Sequence, residues 1–270
     1  MKALTGKSVL ITGASAGIGA ALARGYAQRG ANVILTARRL DRLETMAEEL
    51  GLYNRKILPY AADVTRDGEM EKAVASALKE VPSIDIVIAN AGFCVMGKAE
   101  ELSLADYQRQ FETNVYGVLR TFHATLDALK RSRGHFAVIG SVNGYISLPG
   151  NSAYGMSKHA VRAFTDSLFH EVRPYGVRVT HISPGFIDTE IRRVNNDGKF
   201  LHNAKDPIPK WLMETPERAA ATVMKAVDRG VRECAVTAHG WFLIRLMRYF
   251  PKLSHAVIRF FSIAARPQPK

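Results

Sequence analysis

Tyr154 and Lys158 stand four residues apart at the start of a helical pattern that runs from about Ser152 to Arg173. That spacing puts their side chains on one helix face. Ser141 lies upstream, just beyond an apolar run, Phe136-Ala137-Val138-Ile139, that reads as a buried strand. Ligand crevices of open parallel sheets lie at the carboxyl ends of strands, so a phenol, an ammonium and a hydroxyl converge on one cleft. That trio suits carbonyl reduction. A free tyrosine has a pKa of about 10, too high for a good proton shuttle at neutral pH. A neighbouring ammonium favours the phenolate and lowers that value, toward the range where acid–base exchange is efficient. A serine hydroxyl can donate to an oxygen on which charge develops. On a plain surface helix the same pair would be a tyrosine and a snorkelling lysine without chemistry, so the elements around them must decide.

The first of those elements is near the N-terminus. Ser8-Val9-Leu10-Ile11 is an apolar run bounded by Gly6 and Gly13 and reads as a strand; Thr12-Gly13-Ala14-Ser15-Ala16-Gly17-Ile18-Gly19 follows, then helix formers from Ala20 to Gln28. A strand, a glycine turn and a helix in that order let backbone N–H groups approach a pyrophosphate at the helix N-terminus. The plainer alternative is a structural turn with close helix–strand contact. A second strand, Asn32–Thr36, leads into Ala37-Arg38-Arg39, with no acid before Asp41. An acid there would bind the ribose 2′-hydroxyl of NAD, whereas an arginine accommodates the 2′-phosphate of NADP. Arg38 reads as that arginine, helped by Ser15 and Arg39; otherwise the pair is a solvated opening to a helix over Asp41–Leu50.

A third strand, Lys56–Ala61, is followed by Asp63-Val64, and a helical pattern runs from Arg66 to Lys79. The fourth strand, Ile84–Ala89, ends in Asn90-Ala91-Gly92. One long helix is expected from about Leu104 to Arg131, with the amide of Asn114 amid its apolar face. A buried amide needs partners, so Asn114 either packs helices or holds a water. The strand before Ser141 and the Tyr154 helix come next, then a strand over Val177–Ile182 ended by Ser183-Pro184-Gly185. Phe186 to Glu214 is irregular, and a loop of that length in a compact domain is usually functional, often a lid. Pro216-Glu217 opens a helix capped by Thr215, and Glu233–Val236 reads as the last strand.

The 270 residues are 47% hydrophobic and 23% charged, enough for a full globular core. No signal-peptide pattern and no run of 18 apolar residues is found, so a cytoplasmic, non-spanning protein is expected. Cys94 and Cys234 form no redox or metal motif, and His123 and His181 have no ligand-spaced partner, so no metal site is expected. The net charge of +12 admits an anionic cofactor, an anionic substrate, a membrane surface or nucleic acid.

Alternating strands and helices imply one doubly wound, Rossmann-type parallel α/β sheet with helices on both faces. With Thr12-Gly13-x-x-x-Gly17-x-Gly19, Asp63, Asn90-Ala91-Gly92, Asn114, Ser141, Tyr154-x-x-x-Lys158, Pro184-Gly185 and Thr189 in order, the chain over about residues 5–238 resembles the short-chain dehydrogenase/reductase family. The resemblance implies that Tyr154 is the general acid–base, that Lys158 binds the nicotinamide ribose and lowers the Tyr154 pKa, that Ser141 orients the substrate oxygen, and that Asn114 holds a water linking Lys158 to solvent. It places Asp63 and Val64 by the adenine, Asn90 by its ribose and Thr189 by the nicotinamide amide. Gly13, Ser15, Gly17, Ile18, Gly19, Arg38, Arg39, Ala91, Gly92, Pro184, Gly185 and Ile187 complete the expected cofactor wall, in the family's NADP-preferring pattern. A homodimer or homotetramer is implied as well.

These readings divide the chain into a catalytic dinucleotide-binding domain, 1–240, with a lid at about 186–214, and a helical, basic, amphipathic C-terminal extension, 241–270. In the lid, Ile191, Phe200, Leu201, Trp211, Leu212 and Met213 suggest an apolar substrate, while Arg192, Arg193, Lys199, Lys205 and Lys210 either meet an anionic end or are solvated. The extension is expected to be helical to about Ala265 and carries Arg245, Arg248, Lys252, Arg259, Arg266 and Lys270. It either covers the cleft or a subunit interface, or lies in a membrane interface as a peripheral contact. The expected activity is hydride transfer between NADP(H) and a hydrophobic alcohol or ketone, steroid-like or long-chain oxoacyl, with no nucleic-acid partner. The alternative is a non-catalytic dinucleotide-binding module that regulates, or binds membrane or nucleic acid.

Overall fold

A computed structural model describes residues 3–198, 200–201, 206 and 208–260. Seven strands, β1 (Ser8–Thr12), β2 (Asn32–Ala37), β3 (Ile57–Ala61), β4 (Ile86–Ala89), β5 (His135–Ile139), β6 (Arg178–Ser183) and β7 (Glu233–Ala235), form one parallel sheet in the order β3-β2-β1-β4-β5-β6-β7. The chain winds outward one way from β1 to β3 and the other way from β4 to β7. A crevice therefore opens at the carboxyl ends of β1 and β4.

Parallel strands covered on both faces must be apolar throughout, and period-two alternation divides their side chains between two cores. Val9 and Ile11 point into the core made with α1 (Gly17–Gln28), α2 (Leu40–Gly51) and α7 (Pro216–Arg229). Leu10 points into the other, made with α3 (Glu69–Glu80), α5 (Gly117–Ser132) and α6 (Ser152–Glu171). All three strand residues are fully buried, and each contributes about 1.5–3 kcal/mol of transfer free energy. A largely buried pair, Arg29 with Asp228, ties the end of α1 to α7 at 2.8 Å.

Four helix expectations are corrected. The long helix over 104–131 is two helices, α4 (Leu104–Phe111) and α5, joined by a π-helical turn at Glu112–Tyr116 that carries Asn114. The helix expected from Arg66 begins at Glu69, because Gly68 before it is left-handed (φ +80°). The helix expected to reach Arg173 ends at Glu171: Pro174 disfavours helical backbone just before it, and a 3₁₀ turn over Arg173–Tyr175 follows. The C-terminal helix is broken at Phe250 into α8 (Ala238–Tyr249) and α9 (Pro251–Phe260), since Pro251 has no N–H to continue it. The helical stretch expected up to Ala265 lies, beyond Phe260, outside the described residues, as do Arg266 and Lys270.

Candidate active site

One cavity of about 920 Å³ lies at the carboxyl ends of the strands. Its size suits an extended ligand of nucleotide dimensions together with a second small molecule. Gly13, Ser15, Gly17, Ile18, Arg38, Arg39, Asp63, Val64, Asn90, Ala91, Gly92, Ser141, Tyr154, Lys158, Pro184, Gly185, Ile187 and Thr189 all line it. Two expected residues do not. Gly19 stands behind the turn, where a Cβ would meet the Gly13 carbonyl and the Asn90 amide, so its part is close approach. Asn114 is fully buried behind Gly92.

The half of the cavity that carries the glycine turn is built from β1, β2 and β4. Gly13 is left-handed (φ +63°), and a Cβ there would sit 2.9 Å from the Ala91 Cα, so the turn after β1 closes against the end of β4 only with glycine. Polar bonds hold the two together. The Thr12 hydroxyl accepts from the Asn90 and Ala91 N–H groups at 3.0 and 2.9 Å, and the Asn90 amide donates to the Thr12 and Gly13 carbonyls. Helix α1 starts with no side-chain cap and no acid in its first turn, leaving its first N–H groups for an anion. Asp63 is fixed by the N–H and hydroxyl of Thr65, at 3.0 and 2.8 Å.

The two arginines after β2 differ. Arg39 donates to the Ser15 hydroxyl at 3.2 Å and lies 3.5 Å from Glu190. Glu190 also accepts from Arg42, so the segment after Thr189 reaches across to α2. Arg38 is exposed and has no hydrogen-bond or ion-pair partner among the described residues. A dianion beside Ser15 would find one free guanidinium and one already shared.

The reactive half is set by β5, α6 and the π turn. Ser141 caps the turn after β5, its hydroxyl accepting from the Asn143 N–H at 3.1 Å. Lys158 is buried and donates to the Ile139 carbonyl at 2.9 Å, its Nζ 5.6 Å from the centre of the Tyr154 ring. Asn114 accepts from the Phe93 N–H and donates to the Phe93 carbonyl and the Ser157 hydroxyl, at 3.0–3.1 Å. The π turn inserts the residue that swings this amide into the wall between β4 and α6, in keeping with the placing of such turns at functional sites.

The pKa expectation for Tyr154 is corrected in direction. Burial pushes the phenol well above its ordinary value, with the nearby Cys94 adding to the rise; the Ser141 hydroxyl and the Arg192 charge pull the other way without prevailing. The lysine yields instead, as desolvation brings Lys158 down to about 8. Burial also pushes the Cys94 thiol up to about 12, which keeps it protonated and unreactive. At neutral pH the site therefore presents a protonated phenol, ready to give a proton to an oxygen near Ser141.

Several cavity residues carry no motif and are not expected there from the sequence: Phe93, Cys94, Met96, Arg109, Phe186 and His239, with Leu243, Leu246 and Ser254 from α8 and α9. Leu243 and Leu246 are three apart, a helical spacing that marks an inward face only once the helix has a neighbour. His239 accepts from the Phe186 N–H at 3.2 Å and stacks on the Phe186 ring, joining α8 to the segment after Gly185.

Of the apolar residues expected in a lid, Ile191 and Phe200 line the cavity, whereas Trp211 is 82% exposed. Arg192 is not a free cation: Asp206 pairs with it at 2.7 Å, and the Ile187 carbonyl accepts from it. Lys210 is exposed, and Lys199 and Lys205 lie outside the described residues. Among those described, no group of His, Cys, Asp or Glu could hold a metal ion.

The segment expected to be a lid is held to the opposite wall around Asn196, whose backbone carbonyl accepts from Arg109 and whose side-chain amide grips Met96. Asn196 accepts from the Met96 N–H at 3.0 Å and donates to the Met96 carbonyl at 2.9 Å. Two such bonds are together worth about 2 kcal/mol. Asn196→Ala is expected to speed amide exchange over residues 191–201 by roughly tenfold or more while β1 and β4 keep their protection. Hydrogen-exchange mass spectrometry checks this, and unchanged exchange over that segment would mean that Asn196 is no latch.

The family model for short chain dehydrogenases matches residues 7–199. The oxidoreductase UcpA of Salmonella typhimurium is 39% identical over 191 residues, 70% of this chain and 72% of that protein. Glycine betaine reductase ATRR of Emericella nidulans is 33% identical over 83% of this chain, which spans only 18% of that protein's length. The solved alcohol dehydrogenase of the archaeon Thermococcus sibiricus, complexed with 5-hydroxy-NADP, is similar with a TM-score of 0.76 and 32% identity, over 85% of this chain and 95% of that one.

Proposed function

The chain belongs to the short-chain dehydrogenase/reductase family of oxidoreductases, and on that premise we propose that it moves a hydride between NADP(H) and a secondary alcohol or ketone. The carrying observation is the meeting, in one cavity, of the Tyr154, Lys158 and Ser141 side chains with the glycine turn and uncapped start of α1. When bound, the nicotinamide supplies or takes the hydride. Tyr154 gives its proton to the substrate oxygen in reduction and takes it back in oxidation. Ser141 donates to that oxygen as charge develops. Lys158 holds a positive charge behind the phenol and would meet the ribose hydroxyls of a bound cofactor, and Asn114 keeps Phe93 and Ser157 in register around it.

NADP is favoured over NAD by the free guanidinium of Arg38 and the lack of an acid at the end of β2. Hydrogen bonds to charged groups are worth about 1.5–3 kcal/mol. Arg38→Ala is therefore expected to weaken NADPH by about 10- to 100-fold and NADH by less than about twofold, as read by fluorescence titration. Equal losses for both would contradict a 2′-phosphate role.

A hydrophobic substrate is favoured by Ile191, Phe200, Leu243 and Leu246 on the cavity wall. The same reading makes the protein a homodimer or homotetramer that needs no nucleic acid. The deciding experiment follows NADPH oxidation against ketones of increasing size, from small ones through steroids to long-chain 3-oxoacyl thioesters. Turnover that rises with hydrophobicity supports the reading. Silence across the panel with NADPH bound would sink it in favour of a binding module.

A further inference from the structure

We infer that the outward face of α8 and α9 docks on an anionic lipid bilayer; that an apolar substrate enters beside it rests on the reductase reading above. Helix α8 has two faces that are both apolar. Gly240 and Ile244 are buried, and Ile244 joins Val142, Tyr145 and Ile146 in a small core with Leu243 and Met247 against it. On the other side Trp241, Phe242 and Tyr249, with Phe250 and Leu253 just beyond, are each between 50% and 65% exposed. Isolated exposed apolar residues are ordinary, but five large ones within thirteen positions make a patch that calls for a partner.

Charge selects the partner. From Cys234 to the C-terminus the chain has six Lys and Arg and no Asp or Glu. Arg245 lies over the Trp241 ring at 4.2 Å, and Lys252 is exposed beside Leu253. Aromatic rings with cations among them suit the headgroup level of a membrane, where the rings enter the acyl boundary and the cations meet anionic lipids. A second copy fits less well, because a two-fold contact would set Arg245 and Lys252 against their own kind. The contact is peripheral, since no described helix is long and apolar enough to cross a membrane. The inward side of the same helices, at Leu243, Leu246 and Ser254, lines the cavity. Only the thickness of one helix pair then separates lipid from the site.

The test is flotation of the full chain with vesicles of phosphatidylcholine alone or with about a third phosphatidylserine, at low and high salt. The protein is expected to float with the anionic vesicles and to be released by salt. The variant Phe242→Ser/Phe250→Ser/Leu253→Ser is expected to lose about tenfold or more of that binding while its NADPH titration and its mass by light scattering stay unchanged. Failure to float with anionic vesicles, equal flotation of the variant, or a fall in the variant's oligomeric mass would each overturn the docking. Because flotation needs no substrate, a protein that floats but reduces nothing keeps the surface and loses only the reductase reading.

Discussion

Tyr154→Phe is expected to lower NADPH-dependent turnover by about 10²–10⁴-fold, the usual contribution of a positioned general acid–base, and to leave NADPH affinity within about twofold. The substitution removes one oxygen. The ring keeps its place on α6, and the backbone carbonyl of residue 154 still accepts from the Ser157 hydroxyl at 2.7 Å, so the cavity wall is unchanged. The raised phenol also gives a direction with pH. Reduction needs the protonated phenol, which burial favours, so reductive turnover is expected to hold through neutral pH. Oxidation of an alcohol needs the phenolate, so its rate is expected to climb as pH rises. Single-turnover kinetics in both directions measure this. An alcohol-oxidation rate that falls with rising pH, or a phenylalanine variant within tenfold of wild type, would remove Tyr154 from the proton's path.

What was legible in the sequence follows a physical line. Val9-Leu10-Ile11 and Val87-Ile88 are covered on both faces, so they read as unbroken apolar runs whatever lies around them. Gly13 is needed because the backbone there is left-handed and close to Ala91, a demand met by one residue type. These local necessities place the strands, the turn and the cleft between them. The π turn at Asn114 was hidden because helical periodicity continues on both sides and the insertion shifts it by a single residue. The Tyr154 phenol was read in the wrong direction because spacing reports the neighbouring ammonium and not how much water both groups lose. Asn196 with Met96 and Glu190 with Arg42 stand 100 and 148 residues apart. The first pair joins a side-chain amide to a distant backbone and the second joins α2 to the segment after Thr189, and no period announces such a pair.

Lys158 carries the second large expectation, in which function and stability part. Lys158→Met removes the charge behind the phenol, and turnover is expected to fall by about 10²-fold or more. The same change should make the cofactor-free protein more stable. Desolvation holds the ammonium at about 8 against an ordinary value of 10.5, and at 1.36 kcal/mol per unit that burial costs about 3 kcal/mol at neutral pH. Methionine fills much of the same space without charge. It forfeits the bond to the Ile139 carbonyl, worth about 1 kcal/mol, so the net gain is about 2 kcal/mol, or roughly 4–8 °C in Tm for a chain of this size. The folded pKa lies below the unfolded one, so between pH 8 and 10.5 the unfolded wild type binds more protons than the folded form, and wild-type stability rises there. The advantage of the methionine variant is therefore full below pH 8, shrinks from pH 8 to 10.5 and is absent above. Thermal unfolding at pH 7 and pH 10 measures it. A variant less stable than wild type at pH 7, or one whose advantage is the same at both, would show that the buried ammonium is not under strain. A smaller advantage at pH 10, with turnover lost, would show that α6 keeps at Lys158 a charge the fold would be more stable without.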